Sequence, residues 1–353
     1  MNPRLKTLRN QMIGLNLEGM IVSNPVNIKY LTGLDAEGIL LITRKENIFI
    51  TDGRYIEYAN NMIKIDDEII VSNISDISIY DYEDYFMFCE NVGFEENYVT
   101  YAKYKEIMHK YKINNLVETE GLIEKQRLIK NDDEIEKIRK SCEVTDKCFE
   151  YIVKYIKKGM TEKQIAREME NYMLDSGAED LSFDTIVASG ENSSKPHAVP
   201  TDRVITSGDV ILLDFGCKYN GYCSDMTRTI FVDFVQENIK KVYGLVLQAK
   251  GEAEEQIKEG TECRKLFKFI ENKFKFEDHN LIHALGHGIG LEVHELPYIS
   301  YKNDKLLKEN MIITNEPGIY IPGKFGIRIE DTILVNKQDC ELLTKSNRDY
   351  IVI

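Results

Sequence analysis

The chain has 353 residues and a net charge of −14. That length allows two domains with separate cores, and the acidic balance disfavours nucleic acid and anionic membranes as partners, since both would repel it. Seven scattered cysteines without a CxxC pair point to reduced thiols in a cytoplasm; the first sixteen residues lack the apolar core of a signal peptide, and no run is long enough to span a bilayer.

From residue 1 to about 115 the pattern is that of an α/β domain: a helix from Pro3 to Asn16, then apolar strands over Gly19 to Val22, Gly38 to Thr43 and Asn47 to Thr51. Asp52 closes the last strand and is expected to cap the next helix. The stretch IYDYEDYFMFCE, residues 79–90, reads as an amphipathic helix with packed aromatics, and no glycine-rich phosphate loop occurs in this half. The change of domain falls between Leu116 and Lys130, which gives domains 1–125 and 126–353.

In the second domain Asn131 with Glu134 forms a capping box for a helix through Lys157, ended by Gly159. Thr161 and Gln164 repeat the device for a helix to about Leu174. A strand over Phe183 to Ala188, the turn SGENSSKPH and a hairpin follow. Helices from Gln236 to Glu259, stopped at Gly260, and from Thr261 to Phe274 lead to a histidine segment and a second hairpin. Two helices and a hairpin with two acids, then the same again, read as a duplicated α/β unit folded face to face.

The first hairpin, Val210 to Cys217 and Tyr222 to Val232, turns at Asn220-Gly221, the dipeptide suited to two positive-φ positions. Its register sets Tyr219 against Tyr222, Gly216 against Asp225 and Asp214 against Thr227. Asp214 and Asp225 thereby become diagonal neighbours, roughly 7–8 Å apart at Cα. The second hairpin, Met311 to Ile321 and Ile327 to Val335, turns through Pro322-Gly323-Lys324-Phe325-Gly326. Glu316 and Glu330 are equidistant from Gly323 and so face each other. Between the hairpins lies HALGHGIGLEVHE, with His283, His287 and His294. Carboxylates in apolar strands are costly to bury unless paired or bound to metal. Four of them with a histidine make an oxygen-rich set for two hard or borderline cations about 3.5–4 Å apart. Singly, each has a plainer reading: Asp214 or Asp225 paired with Arg228, Glu330 with Arg328, a histidine satisfied in a loop. The coincidence of two hairpins, each with two inward acids, favours metal. A thiolate from Cys223, on the same face as Asp225, is disfavoured because the oxygen set is complete without it.

The segments SFDTIVASGENSSKPHAVPTDR, DFGCKYNGYCSDMTRTI, HALGHGIGLEVHE, TNEPGIYIPG and GIRIED resemble, in order and spacing, the metal-dependent pita-bread peptidases of the Xaa-Pro aminopeptidase and prolidase branch. NPVNIKYLTG and ITDGRYIE resemble that branch's creatinase-type N-terminal domain. The resemblance implies a creatinase-like α/β domain followed by a pseudo-twofold pita-bread catalytic domain, α/β (α+β) in class. It further implies two divalent ions per chain, manganese first, with cobalt, zinc or iron as alternatives. Asp214 would bind one ion, Asp225 and Glu330 both, and His287 and Glu316 the other. Catalytic roles fall to His197, His294 and Glu316, and substrate contacts to His197, His283, His294, Tyr320 and Arg328. The implied reaction is release of the first residue from small peptides with proline second, by an Xaa-Pro aminopeptidase; the dipeptide-restricted prolidase is the alternative, and a non-catalytic peptide-binding module the alternative of another class. A cytoplasmic homodimer is expected.

Overall fold

The computed structural model describes residues 2–64, 68–76 and 84–353 and divides into two compact units, Met1–Arg127 and Leu128–Ile353. The first is built on a six-stranded mixed sheet in the order Ile69–Asn73, Asn47–Thr51, Ile39–Thr43, Gly19–Val22, Asn91–Phe94, Asn115–Glu118. Its first helix, Pro3–Gly14, starts where the Asn2 side chain accepts from the Arg4 backbone N–H at 2.9 Å, with proline in the first turn.

One expectation for this unit is corrected. Asp52 caps no helix: the next helix is Ile56–Met62, and the Asp52 carboxylate is taken by the Arg54 backbone N–H (2.9 Å) and guanidinium (2.7 Å). An acid two residues before an arginine closes a local turn instead. Of the stretch 79–90 expected as a helix, residues 79–83 lie outside the described residues. After Tyr85 the chain turns, and buried Phe86 packs edge-on against Tyr111 with centroids 5.8 Å apart.

In the second unit both capping boxes form. Asn131 and Glu134 bond reciprocally at the start of helix Asp132–Tyr155, as do Thr161 and Gln164 at the start of Glu162–Asp175. The apolar faces of these helices, with Phe149, Ile165 and Met169, cover the sheet through Leu213 and Ile230. Helices Glu237–Glu254 and Cys263–Phe276 cover the second sheet in the same way, with Val246 and Ile270 against Ile313 and Ile333. This is the duplicated pita-bread arrangement. The helix expected to reach Glu259 stops at Glu254: the Glu255, Gln256 and Ile257 amides still bond back to Gly251 and Ala253, and beyond them Glu259 N–H turns to Asn336 O and Gly260 N–H to Leu307 O, both at 2.9 Å. The strand expected from Phe183 begins at Ile186.

Both hairpin registers are as the sequence predicts. Asn220 (φ 48°) and Gly221 (φ 79°) make the turn, Tyr219 pairs with Tyr222, and Asp214 pairs with Thr227. In the second hairpin Gly318 pairs with Arg328 and Asn315 with Asp331, the symmetry that sets Glu316 opposite Glu330. Its turn is shorter than expected, Pro322-Gly323-Lys324, since Phe325 already pairs with Ile321 and is buried. The strands are also not continuous. The first hairpin breaks into Val210–Phe215 and Cys217–Tyr219 on one side and Tyr222–Cys223 and Met226–Phe231 on the other; the second breaks between Asn315 and Gly318 and between Arg328 and Asp331. At Gly216 a Cβ would lie 1.9 Å from Ser224 O, so only glycine permits that approach.

Candidate metal centre

The strand breaks contain Asp225, Glu316 and Glu330, and their backbones bond across to other segments. The Glu330 N–H donates to Thr227 O at 3.0 Å, the Glu316 N–H to Leu285 O at 2.9 Å and the Cys223 N–H to Gly290 O at 2.8 Å. Each hairpin is thereby tied to the other half, and the two pairs of acids close on one another. Ligand atoms of Asp225, His287 and Glu330 lie within 4.8 Å of one another. His287 Nε2 is 3.5 Å from Asp225 Oδ2 and 3.5 Å from Glu316 Oε1. The His287 Nδ1–H donates to Gly288 O at 3.0 Å, leaving Nε2 as the free donor atom for a metal.

These residues fit divalent cations. Asp214 Oδ1 and Asp225 Oδ1 are buried without a hydrogen-bond partner among the described residues, a state unfavourable for a carboxylate unless a cation meets it. Burial, followed by repulsion from neighbouring carboxylates, pushes Asp225 and Glu330 far above the usual carboxylate range, and burial pushes Glu316 up to about 7. Burial also lowers His287 to about 4, so its imidazole is neutral, the form that binds metal. Four carboxylates and one imidazole suit manganese, cobalt, zinc or iron better than a soft ion.

A pH dependence follows from these shifts. Unfolded carboxyls titrate near about 4, so between about pH 4 and 7 the metal-free folded chain holds protons that the unfolded chain has released. The part of its stability that these carboxyls contribute therefore falls as pH rises through that window, opposed below about pH 6.5 by His287, which is neutral when folded and protonated when unfolded, and ions that displace the carboxyl protons restore it. The rise in melting temperature caused by manganese, relative to chelator, is expected to be larger near pH 8 than near pH 5. Thermal unfolding at the two pH values checks this, and equal rises would contradict it.

The cluster lies at the floor of a cavity of about 460 Å³, which is also lined by His197, His283 and His294. That volume suits a short peptide. The His294 ring packs edge-on against His287 with centroids 4.4 Å apart, and burial lowers its pKa. A bonded relay runs from His283 to Asp214. The His283 Nδ1–H is held by Ala284 O (2.7 Å) and its Nε2 accepts from Tyr320 O–H (3.1 Å); the Tyr320 oxygen accepts from Arg328 Nη1 (2.6 Å), and Arg328 Nη2 donates to Asp214 Oδ2 (2.5 Å).

Some sequence readings change here. Arg228 is not the partner of Asp214 or Asp225: it is fully buried on Asp331 Oδ1 (2.7 Å) and the carbonyls of Glu330 and Ser346. Arg328 pairs with Asp214 and not with Glu330. Cys223, placed inward beside Asp225 by a continuous strand, is turned away by the break. Its Sγ faces Leu291 O among Ile138, Cys142 and Ile289, and burial pushes the thiol up to about 12. Thr227 joins the site without having been expected there, although the register puts it opposite Asp214. Its hydroxyl donates to Glu330 Oε2 at 2.6 Å and accepts from Arg328 Nε at 2.9 Å.

Residues 136–337 match Metallopeptidase family M24, and residues 4–129 match the Creatinase/Prolidase N-terminal domain. The Xaa-Pro dipeptidase of Pyrococcus furiosus is 34% identical over 358 residues, covering 99% of this chain and 100% of that protein. Among solved structures, an Xaa-Pro dipeptidase from Bacillus anthracis superposes with a TM-score of 0.93 at 35% identity, covering 99% of both chains. An X-Pro aminopeptidase from Thermotoga maritima superposes with a TM-score of 0.88 at 33% identity, covering 97% of this chain and 100% of that one.

Proposed function

The chain belongs to metallopeptidase family M24 and is a metallo-exopeptidase, and from that premise we propose that it is an Xaa-Pro dipeptidase working with two divalent ions, manganese first. The observation that carries the reading is the convergence of Asp225, His287 and Glu330 beside Asp214 and Glu316 in a peptide-sized cavity, in a chain similar over its whole length to Xaa-Pro dipeptidases. This replaces the aminopeptidase expected first from the sequence by its alternative.

Asp214, Asp225, His287, Glu316 and Glu330 would hold the ions. When bound, such ions supply an activated water and Lewis-acid charge for the developing oxyanion. The chain keeps the donor atoms in place: Gly288 O fixes the His287 tautomer, Thr227 orients the Glu330 carboxylate, and Arg328 orients Asp214. His197 and His294 line the cavity, where they place the scissile carbonyl and pass a proton to the departing proline nitrogen. His283 and Arg328 line the cavity where the substrate lies, held together by the Tyr320 hydroxyl that bonds to both. A bond to proline has no amide N–H and a restricted φ, so a peptidase that binds its substrate as a hydrogen-bonded strand handles it poorly. The acidic floor also favours a free α-amino group.

Substrate length separates this reading from the aminopeptidase that the similarity to the Thermotoga maritima structure favours. Only the Xaa-Pro dipeptide is expected to be cut when it is assayed beside an Xaa-Pro-Pro tripeptide with manganese. Comparable rates on the two make the chain an Xaa-Pro aminopeptidase.

A further inference from the structure

We propose that Glu162, outside the metal cluster, is a positioning residue that sets the place of His197 in the cavity; the inference rests on the role given to His197 above. Glu162 opens the helix Glu162–Asp175 and is 0% exposed. Its Oε1 accepts from the Ser189 backbone N–H (2.6 Å) and hydroxyl (2.8 Å). Its Oε2 accepts from Asn192 Nδ2 (3.0 Å), the Thr201 backbone N–H (2.9 Å) and the Thr201 hydroxyl (2.6 Å). Ser189 and Thr201 bracket the segment that carries His197, so one carboxylate clamps both of its ends.

The His197 ring itself has no hydrogen-bond partner among the described residues, and the residue is exposed toward the cavity it lines. Its orientation therefore depends on the backbone of its segment. Between the clamped ends the segment is tied down at its backbone by Arg328 Nη1 donating to Pro196 O (3.3 Å) and at the Ser193 side chain by the Gly326 N–H donating to Oγ (2.9 Å). At the base, Arg203 Nη1 donates to Ser189 Oγ at 2.7 Å. Five donors converging on one side chain demand a carboxylate, because a carboxylate alone among side chains is acceptor-only at both oxygens. A glutamine retains an acceptor toward one end of the segment and turns an NH₂ toward the donors at the other. A displacement of about 1 Å in a group that must meet a reacting atom lowers rate by about 10²-fold.

A glutamate at a helix start also interacts favourably with the helix dipole, so the test must separate positioning from plain stabilisation. The measurements are kcat and KM on an Xaa-Pro dipeptide, manganese stoichiometry by titration calorimetry, and thermal unfolding. They are made on the full-length manganese-loaded protein and its Glu162→Gln, His197→Ala and double variants. Glu162→Gln is expected to lower kcat about 10- to 100-fold with manganese stoichiometry unchanged, and to add no further loss in the His197→Ala background. Losses that multiply in the double variant, or no loss in the single one, overturn the inference. If Glu162→Gln does not fold, Ser189→Ala and Thr201→Val each remove one hydroxyl donor at one end of the segment. Each is then expected to reduce kcat by about 3- to 10-fold, as expected for one lost hydrogen bond, and only while His197 is present. A His197→Ala protein at full rate overturns the inference through its premise, which a multiplicative double variant does not touch.

Discussion

Exchanging Glu330 for Gln, or Asp225 for Asn, is expected to lower kcat/KM by at least about 10³-fold, equivalent to about 4 kcal/mol of transition-state stabilisation. Dialysis against a chelator is expected to do the same reversibly, with manganese or cobalt restoring the rate. Both side chains lie with His287 where three ligand atoms meet, and an amide brings neither the charge nor the two equivalent oxygens that a shared cation needs. The same change acts oppositely on the metal-free fold. Burial and neighbouring carboxylates disfavour the charged form of Glu330, so a neutral glutamine in its place relieves that repulsion. Near pH 8 the metal-free Glu330→Gln protein is expected to melt no lower than the metal-free parent, while the stabilisation by manganese disappears. Retention of full activity after chelator dialysis by either variant would falsify the assignment of these carboxylates to the metals.

The second large effect is expected at the histidines. His294→Ala and His197→Ala are each expected to lower kcat by about 10²-fold, the scale of a lost positioned proton donor, while manganese content stays near that of the parent. His294 touches His287 ring to ring but is not in the ligand cluster. Because burial depresses its pKa, the limb on which a proton donor loses activity as pH rises should set in below the ordinary histidine value of about 6.5 and vanish in the alanine variant. Loss of metal in either variant would make that side chain a ligand instead.

Much of this site is legible in local patterns. Asn220-Gly221 admits one tight turn, and a two-residue turn dictates every pair beyond it, so Asp214 meets Thr227 as the register requires. Gly323 does the same for Glu316 and Glu330. The reciprocal caps at Asn131 and Thr161 are equally local, because donor and acceptor lie three residues apart. Expectation and structure part where a group has a choice of partners. Asp52 takes the nearby Arg54 rather than a helix start. Arg228 and Arg328 both bond to acids other than those expected, since alternation along a strand says which face a side chain takes but not which strand lies over it. Glu162 carries no signal in the sequence beyond its place at a helix start, because its five donors come from residues Ser189 to Thr201.

The sequence alone determined the capped helix starts at Asn131 and Thr161, the Asn220-Gly221 turn and the pairing within each hairpin, because those depend on φ preferences, capping chemistry and period-two alternation over a few residues. Only the tertiary structure decided that the two acid pairs share one centre. That required the strands to break at Asp225, Glu316 and Glu330, with Gly216 admitting Ser224 O where a side chain would collide, and the freed backbone to bond across to other segments, as Glu330 does to Thr227. Such bonds satisfy buried amides that a broken ladder leaves open, and their partners are residues distant in the chain, so no local pattern encodes them.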